Sequence, residues 1–67
     1  MLRIESKQED DGRWLAEIPA LPGVLAYGAT EAEARAKIKV LAFRVIADRI
    51  ENGEMLPREI ADLFEAA

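Results

Sequence analysis

Residues 17–30, EIPALPGVLAYGAT, decide the fold of this chain, because two prolines and two glycines stand there between an alternating segment and a long helical pattern. Pro19 ends the preceding strand, since proline cannot donate a ladder hydrogen bond. The sequence Leu21-Pro22-Gly23 favours a tight turn, with proline at its second position and glycine where φ must be positive. We interpret the stretch as strand end, turn, short strand and helix start, a corner whose turn residues carry no nucleophile or acid.

Two segments before this corner alternate apolar and polar residues, which is the period of a half-buried strand. They are residues 1–7 and 13–18, and the Asp11-Gly12 pair between them favours a hairpin turn. Residues 24–27 form a third short strand. The second strand has one face lined by Trp14, Ala16 and Ile18 and another lined by Leu15 and Glu17.

A long helix is predicted from residue 31 to about residue 52. Thr30 and Glu33 match the T-x-x-E capping box at its start, and Gly53 suits its C-terminal cap. The apolar residues of this helix form two rows rather than one stripe. We predict that the first row packs on the sheet beside Trp14 or Ile18, and it comprises Ala34, Ile38, Leu41 and Val45. The second row comprises Ala32, Ala36, Phe43, Ile46, Ala47 and Ile50.

Residues 1–67 are therefore expected to form one domain of the α+β class. It has a three-stranded antiparallel sheet with one long helix on one face (β-β-β-α), followed by a short terminal strand or helix. Leu56, Ile60, Leu63 and Phe64 fit a helical face, whereas residues 62–66 would also suit an edge strand. A chain this small has a thin margin of stability, and association with another chain would add to it.

The composition excludes several kinds of chemistry. The chain has no cysteine and no histidine, which removes thiol chemistry, the commonest general base and nearly every zinc site. Glu9, Asp10 and Asp11 are consecutive on one turn, whereas a two-metal site gathers acids from separate strands. We expect no catalytic residues, metal or cofactor. The net charge of -4 disfavours direct nucleic-acid binding and suits a basic protein partner, or serves solubility alone.

The turn and boundary residues of this chain together carry a family pattern. It reads D-G-x-aromatic-x-A-x-x-P-x-x-P-G from Asp11 to Gly23, and G-x-T/S-x-x-E-A from Gly28 to Ala34. Over roughly residues 1–54 the chain closely resembles the HicB-type antitoxins. That resemblance implies a curtailed RNase H-like fold, usually with a short final strand, which favours a strand at the end of this chain.

The resemblance also implies a role in a type II toxin-antitoxin system. HicB-type antitoxins bind and neutralise HicA, a small basic mRNA-cleaving toxin with one catalytic histidine. Many members carry a C-terminal DNA-binding domain, which we do not expect within these 67 residues. No apolar N-terminal run or bilayer-spanning segment is seen in the sequence, so we expect no membrane association and a cytoplasmic location.

Two sets of candidate contact residues follow. The acidic turn and the sheet face opposite Trp14 are expected to bind the toxin through Asp10, Asp11, Leu15, Glu17 and Tyr27. The second helix row would form a homodimer or larger even oligomer through Phe43, Ile46, Ala47 and Ile50, unless residues 54–67 cover it. The alternative to an antitoxin is a solitary homo-oligomeric structural or binding domain without a toxin partner.

Overall fold

The computed structural model describes residues 2–63, and its architecture confirms the predicted α+β class. A three-stranded antiparallel sheet in the order β1-β2-β3 packs against one long helix. The elements, in chain order, are β1 Glu5–Gln8, β2 Trp14–Glu17, β3 Leu25–Gly28, α1 Glu31–Glu51 and α2 Arg58–Ala61.

The corner between β2 and β3 holds much of the apolar core. Its chain reverses twice, with the Leu21 N–H donating to the Ile18 carbonyl at 2.8 Å and the Val24 N–H donating to the Leu21 carbonyl at 3.1 Å. Gly23 has a φ of 86°, as the predicted turn requires. The side chains of Ile18, Leu21 and Val24 are all buried. The rigid corner therefore directs apolar side chains inward, and its turns lie where the sequence predicts.

Helix α1 begins and ends where the sequence predicts. The Thr30 hydroxyl accepts a hydrogen bond from the Glu33 N–H at 3.1 Å, which satisfies one of the free donors of the first turn. Asn52 is the C-terminal cap, and Gly53 follows with a φ of 68°. Both ends of the helix are therefore formed by residue types that are recognisable in the sequence as helix caps.

Gly28, the last residue of β3, lets the helix lie very close to the sheet. A Cβ atom added at this position would lie 2.6 Å from the Ala34 backbone nitrogen and 3.0 Å from the Glu33 carbonyl carbon. Its φ is not in the left-handed region, so space rather than backbone conformation requires glycine here.

The predicted core row of α1 is partly wrong. Ala34 and Ile38 are buried as expected, but Leu41 and Val45 are only half-buried and pack against the edge of the core. The buried row continues instead through Ala42 and Ile46, at a constant spacing of four residues. A row with this spacing winds slowly around a helix of 3.6 residues per turn, so the face that is buried shifts along α1. Small alanines in this row also allow close approach to the sheet.

The final element is a helix rather than a strand for the residues that are described. α2 spans Arg58–Ala61 and places Ile60 in the core with no exposed surface. The helical period of the sequence is therefore confirmed at α2, whereas the suggested strand over residues 62–66 is not formed at residues 62 and 63. Asp62 and Leu63 form a turn, closed by the Leu63 N–H donating to the Ile60 carbonyl at 3.0 Å. The remainder of the suggested strand, residues 64–66, lies outside the described residues.

Candidate protein-binding face

The sheet has one face that no described element covers. Helix α1 contacts all three strands on the face that carries Trp14, Ala16 and Ala26. The register places the remaining side chains in two rows on the opposite face, which we call the open sheet face. The rows are Lys7–Leu15–Tyr27 and Glu5–Glu17–Leu25.

In the first row, the aromatic ring of Tyr27 stacks against the guanidinium group of Arg13. Leu15 lies directly opposite Tyr27 in the β2–β3 register. The Arg13 guanidinium carbon lies 4.7 Å from the centroid of the Tyr27 ring, which is within range of a cation–π interaction. Asp11 holds that guanidinium through a salt bridge of 2.8 Å to the Arg13 Nε. The hairpin turn therefore positions the exposed tyrosine.

The second row contains two carboxylates of like charge. Glu5 and Glu17 are direct cross-strand partners, an arrangement that is unfavourable on an exposed sheet. Arg3 neutralises part of this charge through a salt bridge of 2.9 Å to Glu5. Within residues 2–63, Glu17 forms no salt bridge. A shallow hollow of about 300 Å³ lies here, lined by Glu5, Ser6, Lys7, Leu15 and Glu17.

On the other side of the sheet from this hollow, strand β1 is hydrogen-bonded to α1. The Ser6 hydroxyl donates to a Glu31 carboxylate oxygen at 2.6 Å and accepts from the Arg35 guanidinium at 2.9 Å. These bonds join the edge strand to the first turns of α1. The position of Glu5 and Lys7 relative to the central strand is thereby set.

Two exposed carboxyl groups have perturbed pKa values. The Arg13 backbone N–H and guanidinium both bond to Asp11 and hold the pKa of its carboxyl below the ordinary value. The Lys37 ammonium, 2.9 Å from Glu33, lowers the pKa of the Glu33 carboxyl, and the Ala29 backbone adds to the effect. A carboxylate with a lowered pKa stabilises the fold above its unfolded-state pKa, and this contribution is lost as pH falls.

We therefore expect stability to be nearly constant between about pH 5.5 and 7, because the chain has no histidine to titrate there. Below about pH 4.5 the melting temperature should fall as the two carboxylates gain protons. Circular dichroism melting curves at several pH values measure this. In the Asp11→Asn and Glu33→Gln double variant the fall should be shallower, and an equally steep fall would contradict the assignment.

The structure brings most of the predicted toxin-contact residues together. Leu15, Glu17 and Tyr27 share the open sheet face, and Asp11 adjoins it through Arg13. Asp10 lies in the exposed hairpin turn, away from both rows. Four further residues that the sequence did not lead us to predict lie on or beside this face: Glu5, Lys7, Arg13 and Leu25. The alternation of β1 and the Asp11-Gly12 turn contain the signal that would have found the β1 pair, because the turn sets which residues lie opposite β2.

The predicted oligomer contacts divide between two environments. Phe43 is 71% exposed and Ile50 is 50% exposed, and Ala47 is exposed as well. Ile46 lies in the other environment, because only 7% of it is exposed and it belongs to the core. Val40, which was not among the predicted contacts, is 52% exposed on the same helix.

Comparison of the chain with protein-family models, with curated proteins and with solved structures found no match. The resemblance to HicB-type antitoxins and to a curtailed RNase H-like fold therefore stays a prediction. Among residues 2–63, no group of three or more acidic side chains is placed to hold a metal ion. Neither α1 nor α2 combines the length and the apolar character that a bilayer-spanning helix needs, in the part of the chain that is described.

Proposed function

We propose that this chain is a HicB-type antitoxin that binds and neutralises a small basic HicA-type toxin. The observation that carries the proposal is the Glu5–Glu17 pair on the open sheet face. Two like charges placed opposite each other repel, and Glu17 has no cationic partner among the described residues. An arginine or lysine of a basic partner would relieve this repulsion and form charge-assisted hydrogen bonds.

The apolar residues beside this pair support the same proposal. Leu15, Leu25 and Tyr27 lie next to one another across β2 and β3, and the last two are exposed. An exposed tyrosine beside leucine side chains is typical of residues that anchor protein interfaces. Lys7 and Arg13 lie at the hairpin end of the face, so its two ends differ in charge. Such a division fixes the orientation of a bound partner.

In this proposal the chain acts by covering the toxin and performs no catalysis itself. It needs no cofactor or metal, it works in the cytoplasm, and it does not bind DNA tightly when alone. The net charge of -4 supports this, since it favours encounter with a basic protein and disfavours binding to phosphate backbones.

Glu17→Lys should weaken toxin binding at least tenfold, or by about 1.4 kcal/mol, because it places a cation where the partner's cation would lie. The probe is a HicA-type toxin encoded beside this gene, with its catalytic histidine replaced by alanine. Titration calorimetry measures the dissociation constant. The variant should fold at least as stably as the wild type, since the introduced ammonium group would face the Glu5 carboxylate.

Glu59→Lys provides the matched control, because Glu59 is exposed on α2 and the change in charge is the same. This control should bind like the wild type. Absence of binding by the wild-type chain to that toxin would refute the antitoxin function. Equal binding by Glu17→Lys and the wild type would instead show that the toxin uses another surface.

Self-association is the second part of the proposal, as a homodimer or larger even oligomer. The exposed apolar side chains of Phe43, Val40 and Ile50 on α1 support it. The same observation supports the alternative function, a solitary homo-oligomeric domain without a toxin. The toxin titration separates the two, because only the antitoxin binds a basic partner.

A further inference from the structure

Helix α1 carries a second apolar row on the side away from the sheet. Its members follow one another at spacings of four, three, four and three residues, and all are exposed: Ala36, Val40, Phe43, Ala47 and Ile50. At 100° per residue they fall within a stripe about 80° wide, centred roughly 140° around the helix from the buried row. We call this stripe the outer seam. The 4-3 spacing is that of the contact positions in helices that pack side by side.

We propose that the outer seam binds the outer seam of a second copy of this chain. The two α1 helices are antiparallel, and the two-fold axis crosses the seam at the level of residues 41 and 42, midway between Val40 and Phe43. This refines the self-association proposed above and rests on it. Two-fold pairing buries the same surface on both copies, which is the commonest form of homodimer. This pairing leaves the open sheet face of each copy exposed, because the seam lies on the side of α1 that points away from the sheet.

The sizes of the seam residues fit this arrangement. With the axis at the level of residues 41 and 42, Val40 lies opposite Phe43 of the second copy, and Ala36 lies opposite Ala47 of the second copy. Two layers of large side chains then fill the centre, and two layers of alanine flank them. The alanine layers permit the close approach that well-packed helices require.

The helix dipoles, rather than the charged side chains beside the seam, favour the antiparallel over the parallel order. Lys37, Arg44 and Asp48 lie along one border of the seam, and Lys39 lies along the other. Antiparallel packing brings each border against itself, so Lys37 lies near both Arg44 and Asp48 of the second copy, one of like and one of opposite charge. Parallel packing brings the two borders together and places Lys39 near Arg44, so cations meet in both orders and side-chain charge does not select between them. In the antiparallel order the positive end of one helix dipole lies beside the negative end of the other, which is the favourable arrangement.

Engineered disulfides test the order directly, because the chain has no cysteine of its own. The double variant Ala36→Cys and Ala47→Cys should form a covalent dimer under mild oxidation, seen on a non-reducing gel. Neither single variant should do so. In the antiparallel order, two copies of the same position lie roughly 16 Å apart along the helices, whereas a disulfide needs Cα atoms within about 7 Å.

The control is the double variant Lys7→Cys and Ala47→Cys, which pairs one seam position with the open sheet face and should form no covalent dimer. Covalent dimers from each single variant, as abundant as from the double variant, would show the parallel order and overturn the proposal. No covalent dimer from any variant would overturn it as well.

Sedimentation adds a measurement without cysteine. Phe43→Glu should weaken dimerisation at least tenfold, whereas Ala61→Glu, an equal change in charge at an exposed position of α2, should leave it unchanged. Equal dissociation constants for the two variants would contradict the outer seam as the contact. These experiments contain only this chain, so their failure says nothing about toxin binding, and a failed toxin titration leaves them intact.

Discussion

Replacing Gly28 with alanine should lower the free energy of unfolding by about 3 kcal/mol or more, the upper end of the cost of overpacking. The added methyl group would lie 2.6 Å from the Ala34 backbone nitrogen. Backbone atoms in the first turn of a helix cannot move aside as a flexible side chain can, so α1 would have to lift away from β3. A domain of 67 residues has a total stability of about 3–10 kcal/mol, so the loss is a large share of it.

The control for this substitution is Gly23→Ala, measured by the same urea denaturation curves. Gly23 has a φ of 86°, but no atom lies within 4 Å of an added Cβ. That variant should lose only about 1–2 kcal/mol, the cost of a left-handed residue with a side chain. If the two variants lost equal stability, close packing of α1 on β3 would not be the reason for glycine at position 28.

The second large effect is expected for Ile38→Ala, which should cost about 2–5 kcal/mol. Ile38 is fully buried at the centre of the helix–sheet core, so its removal leaves a cavity. Val40→Ala, two residues further along α1, should change stability by no more than about 0.5 kcal/mol because Val40 is half exposed. Thermal and urea unfolding at low protein concentration, where self-association contributes least, measure both.

Leu41→Ala tests whether the face of α1 that packs on the sheet is the one in the structure or the one predicted from the sequence pattern. The sequence pattern assigns Leu41 to the same core row as Ile38, whereas the structure leaves it half-buried. Its loss should therefore be clearly smaller than that of Ile38→Ala. Equal losses would mean that the helix is rotated toward the face predicted from the sequence.

The local features of the fold could be predicted because each depends on one or two residues. Thr30 caps α1, Gly23 closes the turn, and the Asp11-Gly12 pair forms the hairpin. The rotation of α1 could not be predicted in the same way. It depends on how closely the helix approaches the sheet, which Gly28 allows from another element, and on the shift of the buried row toward Ile46.

In the candidate site, too, some features could be predicted from the sequence and others could not. Alternation along β2 placed Leu15 and Glu17 on the open sheet face, and Tyr27 joined them from β3. The Glu5–Glu17 pair required the cross-strand register as well, and the stacking of Arg13 on Tyr27 required side-chain geometry. Counting residues back from the hairpin turn would have found the carboxylate pair, but no sequence pattern contains the stacking.

The two-layer architecture has a consequence for how this chain could change over evolutionary time. Sheet and helix each contribute one outward surface, the open sheet face and the outer seam, and the buried core separates them. Substitutions on surfaces this far apart, with no shared neighbours, generally have additive effects. In the assembly proposed above, Glu17 could therefore vary to follow a changing partner while Phe43 keeps the same pairing of copies. A small fold would thus let the specificity of recognition drift without disturbing assembly.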